Sequence, residues 1–241
     1  VWSMYDYNRG CCDNICYSGV ADIFRLPKFS LSFFRTQIAE GSMLPSGKMP
    51  YEVFIPAYRD EILSDTVMVY GNVDEVELVL NGKTIRRQTA DKGPDSDYIS
   101  VPNGGNGKNL HFPPFTFYGV PKERGVLKAV GYHQGKKVAE YTVKTPGVPE
   151  RLDITYFESG KPATKNDLLI VYVRMLDKQG VLCPVNGIPV ELSVQGGEIV
   201  GPTSYPLEAG VASFLVRTGE ISKININATG KGFSTRKSLK V

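Results

Sequence analysis

The chain has 241 residues, with 28 basic against 25 acidic side chains and a formal net charge of +3. That balance excludes the electrostatic footprint of a nucleic-acid binder or of a protein drawn to anionic membranes, and the basic pairs Arg86-Arg87 and Lys136-Lys137 read as solvated strand faces. At 41% hydrophobic and 22% charged, the composition is that of a globular chain with one large or two smaller domains, and no apolar run reaches the roughly 18–20 residues of a membrane span.

The first segment, residues 1–45, opens on "VWSMYDYNRGCC" and holds the only tryptophan, Trp2. Val1 to Tyr5 reads as a short strand. Gly10, Asp13-Asn14 and Ser18-Gly19 mark a loop. In "DIFRLPKFSLSFFRTQIAE", Pro27 suits a helix's first turn, Phe29, Phe33, Phe34, Gln37 and Ile38 recur at helical spacing, and Gly41 ends the helix. A strand, a loop and a helix cannot bury their own apolar faces, so this segment needs a partner. The helix is expected to expose Phe29, Phe33 or Phe34, or to cover them with a neighbour.

From Pro50 the period changes to two. Val76, Leu78 and Leu80 point one way, and Glu75, Glu77 and Val79 the other. Asn81-Gly82 and Gln134-Gly135 read as hairpin turns. "KGPDSDYISVPNGGNGKN" reads as a long surface loop, and Pro113-Pro114 demotes "LHFPPFTFYGVP" to an edge or bent strand. "TPGVP" is a linker. Beyond it "RLDITYF", "DLLIVYVRMLD", "IPVELSVQ", "GVASFLVRT", "SKININATG" and "TRKSLKV" read as strands. Ser159-Gly160, Gln179-Gly180, Gly196-Gly197, Ala209-Gly210 and Thr229-Gly230 are the turn signals between them. Short strands at this spacing leave no room for crossover helices and imply an antiparallel sandwich. The fold class is therefore mainly β: two immunoglobulin-like antiparallel sandwiches, residues 46–147 and 148–241, preceded by a strand–loop–helix segment.

Catalytic signatures are sparse. No Gly-rich phosphate loop and no Gly-x-Ser-x-Gly elbow occur, and the two histidines, His111 and His133, are isolated. Asp60/Glu61 and Asp74/Glu75 are adjacent in sequence, so their side chains diverge. Cys12-x-x-x-Cys16 is half of a metal-site pattern without its second half, and Cys11 and Cys183 complete no set. The cysteines read as free thiols, and neither metal nor cofactor is expected.

The opening segment carries the one resemblance. Trp2 and Asp6 form a Trp-x-x-x-Asp pair, and Gly19, Asp22, Arg25, Pro27 and Lys28 form G-x-x-D-x-x-R-x-P-K. Together they resemble the last strand, loop and helix of the (β/α)8 catalytic barrel of glycoside hydrolase family 2, the β-galactosidase-like enzymes. "VMVYGNVDEVELVLNGKTI" is similar to the sandwich that follows the barrel in many bacterial members. "PERLDIT" with "LLIVYVRMLDKQG" resembles their immunoglobulin-like C-terminal domain. The resemblance covers essentially the whole chain, in the family's order.

It implies a C-terminal portion of an exo-glycosidase, in which residues 1–45 are the end of the barrel. The partners are then carbohydrate and the rest of the barrel, in a parent enzyme for which a periplasmic or extracellular location is the expectation. No residue matches either catalytic glutamate of the family, so the chain alone should be inactive and no catalytic residue is assigned. Substrate contact is assigned to Trp2, Asp6 and Asn8. An indole offers a flat face to sugar C–H groups, although packing alone would also suit Trp2. Asp6 and Asn8 suit either hydrogen bonding to hydroxyls or fixing the loop. Two other readings compete: a carbohydrate-binding module with a platform among Tyr98, Phe115, Phe117, Tyr118 and Tyr205, and a cell-surface adhesin of immunoglobulin-like repeats, which the first segment does not fit.

Overall fold

The computed structural model describes residues 3–10, 14–58, 64–91, 110–157 and 160–241. The expected surface loop at 92–109, Ser159 of one turn signal, Tyr98, Trp2, Cys11 and Cys12 lie outside them. The chain forms two compact units, Val1–Thr145 and Pro146–Val241.

The first unit begins with short elements: β1 (Ser3–Tyr5), β2 (Tyr7–Asn8), β3 (Ile15–Cys16), β4 (Gly19–Ala21) and α1 (Phe29–Thr36). The expected loop thus contains structure of its own. β2 and β3 form a small antiparallel hairpin, and β4 returns to lie parallel to β1. The pair β5 (Met43–Leu44) and β6 (Gly47–Lys48) leads into β7 (Val53–Phe54), β8 (Val67–Gly71), β9 (Glu75–Leu80), β10 (Lys83–Thr89), β11 (Phe115–Phe117), β12 (Val126–His133) and β13 (Lys136–Lys144). These make two sheets, ordered β10-β9-β12-β13 and β11-β8-β7. Val76, Leu78 and Leu80 face the core between them, with Val69, Phe115, Phe117 and Leu127. β11 is an edge strand, as Pro113-Pro114 requires.

Asn81 and Gly82 turn with φ of 51° and 80°, and Gln134 and Gly135 with 49° and 76°. These paired left-handed residues match the twist of the flanking strands.

The helix is shorter than its periodicity suggests. Pro27 precedes it and bridges to Ala21. Lys28 is the N-cap in an extended conformation, because its N–H donates to the Val20 carbonyl at 3.0 Å. At the other end, the Gln37 side chain leaves the helical pattern to clamp the Phe112 backbone, donating to its carbonyl at 2.9 Å and accepting its N–H at 3.1 Å. Eight residues with no side-chain cap make a marginal helix, so packing must hold it. Phe29 meets Phe54 and Tyr58 at 5.7 and 5.0 Å between ring centres, and Phe33 meets Tyr70 edge-on at 4.9 Å. Arg35 forms an ion pair with Glu52. Phe29 and Phe34 remain partly exposed.

Asn72 fastens the same junction. Its side chain is buried, accepts the Glu52 N–H at 2.6 Å, and donates to the carbonyls of Ile38 and Pro50, both at 3.0 Å. Asn72→Ala would take this partner from three part-buried backbone groups. Its expected cost is about 2–4 kcal/mol, measurable as a fall in the urea midpoint of this unit.

The second unit contains β14 (Pro149–Tyr156), β15 (Leu168–Asp177), β16 (Pro189–Gln195), β17 (Gly197–Ile199), β18 (Ser204–Pro206), β19 (Val211–Thr218), β20 (Lys223–Gly230) and β21 (Phe233–Lys240). Its sheets run β14-β15-β19-β17 and β18-β16-β20-β21, all antiparallel. Val171, Val173, Met175, Phe214, Val216, Ile224 and Ile226 fill the core. One turn differs from expectation: Thr229 and Gly230 belong to β20, and the chain reverses at Lys231-Gly232, with φ of 50° and 80°. Gly230 serves close packing instead, since a Cβ there would sit 2.8 Å from the Pro189 carbonyl oxygen.

Asp177 organises the start of this unit. It is 4% exposed. One carboxylate oxygen accepts the N–H groups of Gln179 at 2.9 Å and Val181 at 2.8 Å, and the other accepts that of Gly147 at 2.7 Å. Burial alone pushes this carboxyl up, but the surrounding backbone N–H groups outweigh it and hold it below the ordinary aspartate range.

Candidate functional site

The sequence-predicted site centres on the junction of β1, β4 and α1. Ser3 pairs with Gly19 and Tyr5 with Ala21. The register is continued by the Asp6 N–H, which donates to the Ala21 carbonyl at 3.0 Å. A Cβ on Gly19 would lie 2.3 Å from both the Asp6 nitrogen and the Tyr5 carbonyl carbon. Only glycine lets the two strands approach this closely.

Asp6 is buried. Its Oδ1 accepts the Gly19 N–H at 2.9 Å and the Lys28 ammonium at 2.6 Å. Lys28 Nζ also donates to the Tyr17 carbonyl at 3.1 Å. The carboxylate therefore joins β1, β4 and the helix N-cap at one point.

The other motif residues fit the same construction. Asp22 closes the turn after β4: its Oδ1 accepts the Leu26 N–H at 2.7 Å, and its own N–H donates to the Leu26 carbonyl at 3.0 Å. Burial raises the Asp22 carboxyl above the ordinary range, against the pull of the Leu26 and Phe24 N–H groups. Arg25 takes a left-handed φ of 66° within that turn. Its guanidinium lies over the Tyr5 ring, 5.6 Å from the ring centre. Gly19, Asp22, Arg25, Pro27 and Lys28 thus form one lock around β4, and the spacing of G-x-x-D-x-x-R-x-P-K is the spacing of its contacts.

Of the three predicted substrate-contact residues, Trp2 lies outside the described residues. Asp6 is directed into the lock. Asn8 is exposed on the β2–β3 hairpin, where it pairs with Ile15. Nearby, hydrogen bonds from Ser18 first and Tyr7 second lower the Cys16 thiol below its ordinary value. Cys16 and Cys183 are both free thiols. Met4, Tyr5, Tyr17 and Ile23 leave an apolar rim exposed around the two parallel strands.

The candidate aromatic platform is largely interior: Phe115 and Phe117 are fully buried, because all three residues of β11 are enclosed, and Tyr205 packs on Phe214 at 5.5 Å. Tyr118 is exposed. Among the described residues, no group of three or more His, Cys, Asp or Glu side chains gathers to hold a metal, and no helix is long and apolar enough to cross a membrane. The role of Lys28 was missed by sequence reasoning. Its only signal was its place in the motif, since nothing local to a lysine after a proline announces a partner at position 6.

A family model described as "Domain of unknown function (DUF4982)" matches residues 64–139. A β-galactosidase from Thermoanaerobacter pseudethanolicus is 33% identical over 233 residues, which are 90% of this chain and 29% of that protein. A β-galactosidase from Rhizobium radiobacter is 30% identical over 129 residues, 53% of this chain and 92% of that sequence. Among solved structures, a β-glucuronidase from glycoside hydrolase family 2 superposes with a TM-score of 0.76 at 22% identity, over 98% of this chain and 24% of the other. The chain thus spans less than a third of the length of the first of these relatives. With the sandwich fold and a β-galactosidase relative matched over nearly its full length, the chain belongs to glycoside hydrolase family 2.

Proposed function

We propose that this chain is the C-terminal portion of an exo-acting family 2 glycosidase, with residues 1–45 ending its (β/α)8 barrel and two accessory sandwiches following. The carrying observation is the parallel β1–β4 pair leading into α1, rimmed by exposed Met4, Tyr5, Tyr17 and Ile23. Parallel sheets are stable when both faces are covered, and two short strands cannot cover themselves. The rest of the barrel is the matching partner, and the greater length of the relatives has room for it.

In this reading the chain forms one wall of the sugar site. Trp2 supplies the stacking surface and Asn8 a polar contact. Asp6 acts as a positioning residue through Lys28 and Gly19. Retaining hydrolysis needs two carboxyl groups about 5–5.5 Å apart at the scissile bond. Asp6 is already committed to a cation, so the catalytic pair comes from the upstream barrel. The relatives named β-galactosidase support a β-galactoside substrate.

The 241-residue chain is expected to give no turnover of a chromogenic β-galactoside, whereas the product of the complete gene should hydrolyse it. Turnover by the chain alone would overturn the assignment of the catalytic carboxylates elsewhere. A complete gene encoding only further sandwich repeats would overturn the barrel reading.

A further inference from the structure

The first unit contains a second feature suited to ligand binding. A cleft of about 350 Å³ opens where α1 crosses the sandwich, bordered by Ser32 and Arg35 of the helix, Tyr51 and Glu52 before β7, and Glu140 and Tyr141 of β13. Its size is at the lower end for small-ligand sites. β7 and β13 are each the last strand of their sheet, so their outer edges bring backbone donors and acceptors to the cleft.

The chemistry of the lining restricts the ligand. Arg35 is paired with Glu52. Glu140 lies 2.6 Å from the Lys137 ammonium and 3.6 Å from that of Lys128. Lys128 and Lys137 are not part of the lining, its one cation, Arg35, is committed to Glu52, and both lining carboxylates have cationic partners, so the cleft offers no uncommitted cation to select an anion and no unpaired anion to select a cation. What it presents is a mixture of fixed donors and acceptors beside aromatic rings. Tyr141 is set edge-on against Phe54 at 5.2 Å, and Tyr51 stacks on His133 at 5.0 Å, so both rings are held in place. Neutral polyhydroxylated rings suit such a lining. Each hydroxyl both donates and accepts, and the C–H face rests on an aromatic side chain.

We propose that this cleft binds a single neutral saccharide unit. Neither Asp6 nor Asn8 lines it, so its test is independent of where hydrolysis takes place. The 241-residue chain is titrated with galactose and with lactose, followed by NMR, with glucuronate as the anionic comparison. Expected are shifts confined to the backbone amides around the lining, at residues 32, 35, 51–54 and 139–141, produced by the neutral sugars and not by glucuronate. Ser32→Trp, which fills the cleft from the helix side, should weaken binding by about tenfold or more. Glu140→Gln keeps the shape and removes the acceptor charge, and should weaken it by about threefold, which preserves a readout if the tryptophan disturbs the helix. Absence of shifts at saturating sugar, equal binding of glucuronate, or binding indifferent to both substitutions would overturn the proposal.

Discussion

Replacing Lys28 with methionine is expected to destabilise the first unit by about 3–5 kcal/mol, the range for removing one partner of a buried ion pair. The reason is an asymmetry in burial. The Asp6 side chain is 2% exposed and the Lys28 side chain 32%. Without Lys28, the carboxylate keeps only the Gly19 N–H as a partner among the described residues. Without the Asp6 charge, the lysine retains the Tyr17 carbonyl and can still reach water. Asp6→Asn, which preserves an acceptor for Gly19, should therefore cost less, about 1–2 kcal/mol. The double variant Asp6→Asn/Lys28→Met should recover part of the loss, since it buries no unpaired charge. Denaturant unfolding of the first unit measures all three. Lys28→Met costing less than Asp6→Asn would show that the pair does not carry the junction. Added salt should change the difference little, because a buried pair is poorly screened.

Asp177→Ala should be the most damaging single truncation among the polar residues of the second unit, at about 3–4 kcal/mol. It orphans the N–H groups of Gly147, Gln179 and Val181 together. Asp177→Asn should be nearly as costly, because its amide NH2 would face one of those donors. The pH dependence has a definite sign. The folded carboxyl lies below its unfolded value of about 3.9, burial being outweighed by backbone donors. Its contribution is therefore fully present above that value and disappears as the pH falls through the folded one. Unfolding midpoints for this unit between pH 6 and pH 2 should drop on the acid side in the unaltered chain and drop less in Asp177→Asn. Identical acid limbs would refute the assignment. Cys183 supplies a second probe. Burial first, and the Asp177 charge second, raise its thiol, so alkylation should follow opening of the unit.

The sandwiches were legible because their signals are local. Alternation in "EVELVL" gave the inward face of β9, and Asn81-Gly82 and Gln134-Gly135 gave their turns. What escaped depends on distant partners. β4 is only three residues long, too short for periodicity, and exists because β1 lies beside it. α1 begins only at Phe29 because Val20 captures the Lys28 N–H, and past its other end Phe112 holds the Gln37 side chain. Thr229-Gly230 resembles a turn pair, but the register of β20 with β21 carries both residues into the strand. Of the candidate site, the motif residues were visible as a pattern. Their mutual contacts were not, because an aspartate and a lysine separated by three short strands and their loops leave no trace of pairing in sequence.

The packing of α1 also bears on how such chains can be inherited. Phe29 and Phe33 lie on Phe54, Tyr58 and Tyr70, and Asn72 holds the carbonyls of Ile38 and Pro50. A crossover event that moved this sandwich to another host without residues 1–45 would strip the cover from those aromatics and take the Ile38 acceptor from the buried Asn72 amide. The genetic module is therefore larger than the sandwich. It has to travel with the last helix before it, or replace that helix with another bearing aromatics at the same two positions.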